Sequence, residues 1–233
     1  MDPNGPKPGE GAHYIQHRRR LRERFRETGF EGFKDYEALE LILTYAIPRR
    51  DVKPIAKELI RRFGDFQGVL DAPYEDLLKT SGMGENAATF LNLMKSSASL
   101  YLKQVLKRKK GISGTSDLLD YCRVEMRGLR DEQFRAIFLN SQNEIIADEV
   151  MQEGTVDQSV VYPRKVMERA LYYKASAMIF VHNHPSGSIK PSREDITLTE
   201  TLKQAAKSLQ LRVHDHLIIS KNGYFSFLES GLL

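Results

Sequence analysis

Apolar positions in the first half of the chain recur at helical spacing. Ala38, Leu39, Leu41, Ile42 and Leu43 give the stretch Tyr36–Tyr45 one apolar face, and it stops before Pro48. Val52 to Phe63 repeats the pattern, with Pro54 in its first turn and Gly64 as its stop. Asp76-Leu77-Leu78, and then the run through Ala87, Ala88, Phe90, Leu91, Leu93 and Met94, predict two more helices broken by Gly82-Met83-Gly84. Past residue 115 the pattern changes. Ser116 to about Arg127 reads as a helix capped by Ser116. Gln133–Leu139 reads as a strand that turns through residues 140–143 into a second strand, Glu144–Val150. Pro163 opens a helix to about Lys174, and the apolar run Ala177–Val181 fits a buried strand. Ser192–Ser208 is helical, Arg212–Ser220 extended, and Asn222-Gly223 turns a hairpin into Tyr224-Phe225-Ser226.

This order predicts an α/β chain in which a small all-helical N-terminal domain, residues 13–105, precedes a mixed domain, residues 116–233. Residues 106–115 combine charge, glycine and small polar side chains without an apolar period, and read as a linker. Residues 1–12, rich in Pro and Gly, read as a disordered tail. No apolar run is long enough to span a bilayer and no secretory core is visible, so no membrane partner is expected. Cys122 is the sole cysteine, which excludes an intramolecular disulfide and a thiolate cluster and suits a reducing, cytoplasmic setting.

Charge is unevenly divided. The first 110 residues carry 21 Lys+Arg against 15 Asp+Glu, and the remainder 14 against 16. The excess concentrates at His17-Arg18-Arg19-Arg20 with Arg22, Arg24 and Arg26, and again from Lys103 to Lys110. Such runs can track nucleic-acid phosphates, but interspersed Glu23 and Glu27 suit an ordinary solvated helix face with i, i+4 pairs. The Gly82-Met83-Gly84 turn resembles a helix-hairpin-helix element, in which Gly82 and Gly84 would offer backbone N–H groups to a DNA phosphate at a helix N-terminus. Glu85 departs from that pattern, because its charge opposes phosphate, and an architectural turn explains the glycines equally well.

The chemistry concentrates at Val181-His182-Asn183-His184-Pro185-Ser186-Gly187, followed by Ser192 and Asp195. Histidines spaced i, i+2 at a strand end project to one side, and the helix starting near Ser192 brings a carboxylate towards them. Two His and one Asp, with a fourth position for water, make an open zinc site, one ion per chain. Ser192 with Asp195 is also a plain capping box. The combination His-x-His, seven residues, Ser, two residues, Asp is similar to the JAMM motif of the JAB/MPN metalloprotease fold. The wider run His-Asn-His-Pro-Ser-Gly with Pro-Ser-x-x-Asp resembles the RadC family. That resemblance covers nearly the whole chain. It implies a JAB/MPN-like α-β-α domain with a mixed sheet.

The resemblance further implies a glutamate upstream of the histidine pair, at a helix-to-strand junction, that takes a proton from zinc-activated water. Glu132 occupies that position, with Glu149 and Glu153 as competitors. Ser192 then becomes a candidate oxyanion donor, and Pro185 and Gly187 shape the loop. His214-Asp215-His216 forms another i, i+2 pair, in which Asp215 could orient a ligand imidazole or simply sit on a polar strand edge; none of the three is expected in the metal shell. Two functions follow. The first is a zinc metallopeptidase or isopeptidase acting on a peptide or protein conjugate. The second is a DNA-associated binding protein whose metal centre is regulatory or vestigial. The repair label carried by the RadC family has no residue here that speaks for it.

Overall fold

The computed structural model describes residues 10–154 and 161–233. Residues 1–9 of the expected tail lie outside these, while helix α1 (Glu10–Thr28) already begins at Glu10, inside the span expected to be disordered. Helices α2 (Asp35–Ala46), α3 (Lys53–Phe63), α4 (Phe66–Asp71) and α5 (Tyr74–Leu78) follow, and α6 runs from Glu85 to Arg108. The chain divides into two compact units at Lys95/Ser96, within α6. The expected boundary stood at residue 105 with a linker over 106–115. The helix continues to Arg108 because Leu102 and Leu106, one turn apart, extend its apolar stripe onto the core of the second unit.

The helical unit is built on Leu39, Leu43, Ala56, Leu59, Val69, Leu77 and Leu91, all essentially inaccessible to water. α3 has the proline start and glycine stop of its sequence, and Gly64 closes it at φ +95°. The basic run of α1 is not uniformly a solvated face. Arg18 is buried and donates to the carbonyls of Ile47 (2.7 Å), Pro48 (2.5 Å) and Arg50, just beyond the end of α2. One guanidinium thus satisfies three carbonyls of the connection between α2 and α3. Arg19 pairs with Glu23 and Arg24 with Glu37, and His17 Nε2 lies 2.8 Å from the buried Glu40.

The second unit adds α7 (Ser116–Met126), α8 (Pro163–Tyr172) and α9 (Arg193–Ser208) to strands β1 (Glu132–Leu139), β2 (Ile145–Gly154), β3 (Ala177–Asn183), β4 (Arg212–Ser220) and β5 (Gly223–Ser226). The strands form one mixed sheet in the order β2-β1-β3-β4-β5. β3 and β4 are parallel, joined through α9, and the other pairs are antiparallel. Thr115, not Ser116, precedes α7, and its hydroxyl is committed to Asp215 instead of capping the helix. Alternation along β3 makes two cores. Ile179 and Val181 face α7, whereas Met178 and Phe180 face α8 and α9. His182 continues the second set, so the sheet face that carries α9 also carries the first histidine. Among the described residues no helix is long and apolar enough to cross a membrane.

Replacing Arg18 with Met removes the cation and takes the donor from three partly buried hydrogen bonds to backbone carbonyls, which should cost roughly 1–3 kcal/mol. A urea melt of the full chain followed by far-UV circular dichroism should show an earlier helical transition; an unchanged midpoint would contradict this account.

Candidate metal centre

Four side chains predicted from the sequence converge: Glu132, His182, His184 and Asp195 each bring a ligand atom within 4.8 Å of all the others. Glu132 opens β1, and Phe134, two residues on, pairs with His182 on β3, so both strands deliver their residues to the same corner. His184 follows the strand end. Its N–H donates to Ile219 O, and Gly187 N–H closes a turn onto His184 O. Gly187 has φ +87°, and a β-carbon there would meet Lys221 at 2.6 Å, so the turn fits tightly against the β4–β5 connection. Asp195 comes from the first turn of α9.

His182 Nε2 and His184 Nε2 are 2.9 Å apart, and Asp195 oxygens lie 3.1 Å and 3.4 Å from them. Tetrahedral ligands about zinc stand roughly 3.3 Å from one another, so the two imidazole nitrogens and the Asp195 carboxylate, through Oδ1 to His182 and Oδ2 to His184, have the spacing of direct ligands. Glu132 Oε1 is further away, 3.6 Å from His184 Nε2 and 3.9 Å from His182 Nε2. His184 Nδ1 donates to Ser188 O at 3.1 Å, which leaves a lone pair on its Nε2 when the ring is neutral. Electron-rich atoms this close demand a cation between them, either a proton or a metal. Burial opposes charge on both partners, yet hydrogen bonding outweighs it. The two histidines hold the Asp195 carboxyl well below the usual range, and the carboxylates of Asp195 and Glu132 raise the His184 pKa.

The competing glutamates are elsewhere. Glu149 is paired with Arg169 and Tyr173, and Glu153 contacts Gln133 on a neighbouring strand position. Ser192 caps α9 with the reciprocal pair expected of a capping box: its Oγ accepts from Asp195 N at 3.0 Å, and its N–H donates to Asp195 Oδ2 at 2.7 Å. The box therefore also holds the carboxylate at the cluster. The centre opens into a groove of about 890 Å³ lined in part by Phe134, Val161, Pro191, Ser192 and Leu198.

Two contributors escaped the sequence. Asn183, between the two histidines, accepts from Gln133 N–H at 2.8 Å and donates to Asp131 O at 3.1 Å, clamping the backbone on both sides of Glu132. His216 Nε2 lies 2.8 Å from His182 Nδ1 and is fully buried, and burial pushes its pKa well below the ordinary value. Asp215, the residue considered as an orienting partner, instead accepts from Thr115, Ser226 and the N–H groups of His216 and Leu228. An irregularity in the β3–β4 ladder between Met178 and Ile179 skips His214. It turns His214 to Asn143 while His216 reaches the cluster. In the helical unit, Gly82 has φ +87° and packs against Ile55, and Gly84 is open to solvent before Glu85 starts α6.

Residues 112–232 match the model of the RadC-like JAB domain family, and residues 13–89 that of the UPF0758 N-terminal family. A UPF0758 protein of Ruegeria pomeroyi is 47% identical over 221 residues, covering 94% of this chain and 99% of the relative. One from Fusobacterium nucleatum is 43% identical over 224 residues, covering 93% and 97%.

Because a proton on His184 competes with a metal cation, and its pKa is raised above an ordinary ~6.5, metal affinity should climb with pH until it passes that raised value. Competition against a chromogenic chelator between about pH 5 and 8 reads this directly. In Asp195→Asn the climb should level off at lower pH and at a weaker plateau; an affinity flat with pH in both proteins would contradict the cluster's electrostatics.

Proposed function

The chain belongs to the RadC-like JAB domain family, and from that premise we propose that it is a zinc-dependent hydrolase of the metallopeptidase or isopeptidase type. The observation that carries this reading is the trio His182, His184 and Asp195 at mutual distances of 2.9–3.4 Å with Glu132 beside it. Two imidazoles and a carboxylate, without a thiolate, suit zinc and leave its fourth position to solvent. Bound there, zinc would supply Lewis acidity towards water and a substrate carbonyl.

The protein's own groups account for the rest. Glu132 Oε1 stands outside the ligand spacing but within reach of a water in the open position, where it accepts a proton and returns it to the leaving amine. The oxygen of Ser192 is used as an acceptor by Asp195 N–H. Its own proton is left to donate to a carbonyl oxygen that gains charge during attack. The groove is large enough for a peptide or protein-conjugate segment to lie across the centre. Cys122 belongs to the core, where burial pushes its thiol up to about 12; it is neither ligand nor cross-link, in keeping with a cytoplasmic setting.

The DNA-binding reading draws on α1 and on the Gly82–Gly84 turn. Arg18, Arg19 and Arg24 are engaged within their own unit, and Glu85 puts a carboxylate at the start of α6. These observations favour hydrolysis.

The test compares wild type, Glu132→Gln and His182→Ala/His184→Ala in zinc content and in cleavage of a peptide library. We expect about one zinc per chain in the first two and none in the double variant, with cleavage in Glu132→Gln reduced by roughly 10²–10⁴-fold. Wild type that takes up no zinc, or Glu132→Gln with full activity, would overturn the reading.

A further inference from the structure

We propose that Thr199 and His216 are positioning residues which fix the tautomer of His182 and tie that ligand to the backbone of a second one, Asp195; this rests on the metal reading of the cluster. The chain of contacts is short and buried. Thr199 Oγ1 lies 2.6 Å from Asp195 O and 2.6 Å from His216 Nδ1, and His216 Nε2 lies 2.8 Å from His182 Nδ1. Thr199, His216 and His182 are each at most 2% exposed, so water does not take over any of these bonds.

The direction of every bond follows from one fact. A carbonyl oxygen cannot donate, so the single hydroxyl proton of Thr199 goes to Asp195 O. The hydroxyl must then accept from His216, which places a proton on His216 Nδ1. A neutral His216, as its apolar surroundings require, carries a lone pair on Nε2. That lone pair accepts from His182 Nδ1–H. His182 is thereby left with a bare Nε2 aimed at His184 and Asp195, the form a metal ligand needs. Both rings are held as the Nδ1–H tautomer, whereas free neutral histidine prefers a proton on Nε2.

The relay also joins three elements. Asp195 and Thr199 are one turn apart on α9, His216 is on β4, and His182 is on β3. Rotation of the His182 ring, or withdrawal of the first turn of α9, breaks the same set of bonds. The aromatic rings packed on His216, Phe227 stacked at 4.8 Å and Phe134 edge-on at 5.5 Å, hold the central imidazole in plane.

The experiment uses the full chain with zinc as the probe. Long-range ¹H–¹⁵N correlation spectra of metal-free wild type report which ring nitrogens are protonated, and chelator competition reports zinc affinity for wild type, Thr199→Val and Thr199→Ser. We expect His182 and His216 as Nδ1–H tautomers and zinc binding weakened 10–100-fold in Thr199→Val. Thr199→Ser, which keeps the hydroxyl, should restore affinity to within a few-fold. Nε2–H tautomers in wild type, or equal zinc affinity in Thr199→Val, would overturn the proposal while leaving the metal centre intact. Wild type with the expected tautomers but no zinc affinity would instead remove the metal reading and, with it, the positioning role.

Discussion

Asn183 points away from the histidines on either side of it, and its carboxamide bridges the backbone before and after Glu132. The geometry of the centre hangs on this double hydrogen bond and on the register it enforces. With Asn183 fixed opposite Gln133, His182 pairs with Phe134 and Glu132 falls beside the histidine pair. A slip of one residue would turn His182 to the other face of the sheet, into the core built on Ile179 and Val181. A strand buried on both faces leaves little room for such a slip, because every residue of β3 would have to exchange one packed environment for the other.

The centre concentrates groups that would not otherwise stay together. Two imidazoles and two carboxylates in a partly buried corner repel one another, lose hydration, and contribute little to folding unless a cation joins them. The surrounding structure offsets that cost with hydrogen bonds aimed at atoms that do not face the centre. On the imidazoles these are the outer nitrogens, bound by Ser188 O on His184 and by His216 on His182, while Ser192 N–H holds Asp195 through Oδ2, the oxygen 3.4 Å from His184 Nε2. Each outer partner leaves the inward-facing atom as an electron pair. Imidazoles satisfied only on their outer side are poor as a folding device and well suited to holding a positively charged guest.

Most of this arrangement was legible from residue spacing. Alternation placed His182 and His184 on one side of a strand end. The Ser192–Asp195 spacing marked the first turn of the following helix, whereas Glu132 came from the family resemblance, since spacing alone does not set it apart from Glu149 and Glu153. The order of elements and the two-part organisation also followed from periodicity. What was hidden depends on contacts between distant segments. His214 and His216 look like an equivalent pair until the β3–β4 irregularity separates them, and no local pattern announces a bulge made by pairing with another strand. Asn183 reads as a spacer between ligands because its partners lie 50 residues away. Arg18 sits in a run that looks uniformly solvated, but burial depends on where the end of α2 lies against it. Residues 106–115 read as a linker because they lack an apolar period, yet the helix runs on to Arg108 as Leu102 and Leu106 pack onto a core.

The same distinction separates the chemistry of the site from its specificity. Ligand identity is a matter of which donor atoms meet, and short-range spacing encodes that well. Selection of a scissile bond depends instead on the walls of the groove, where Phe134 comes from β1, Leu198 from α9, and Pro191 from the loop between β3 and α9. These residues share no sequence pattern and are brought together only by the sheet order. On the hydrolase reading proposed above, the cluster supplies the reaction and the groove beside it the substrate preference. On that reading, Phe134 and Leu198, which line the groove beside the charged centre, would accept or reject the side chain flanking a bond presented to Glu132.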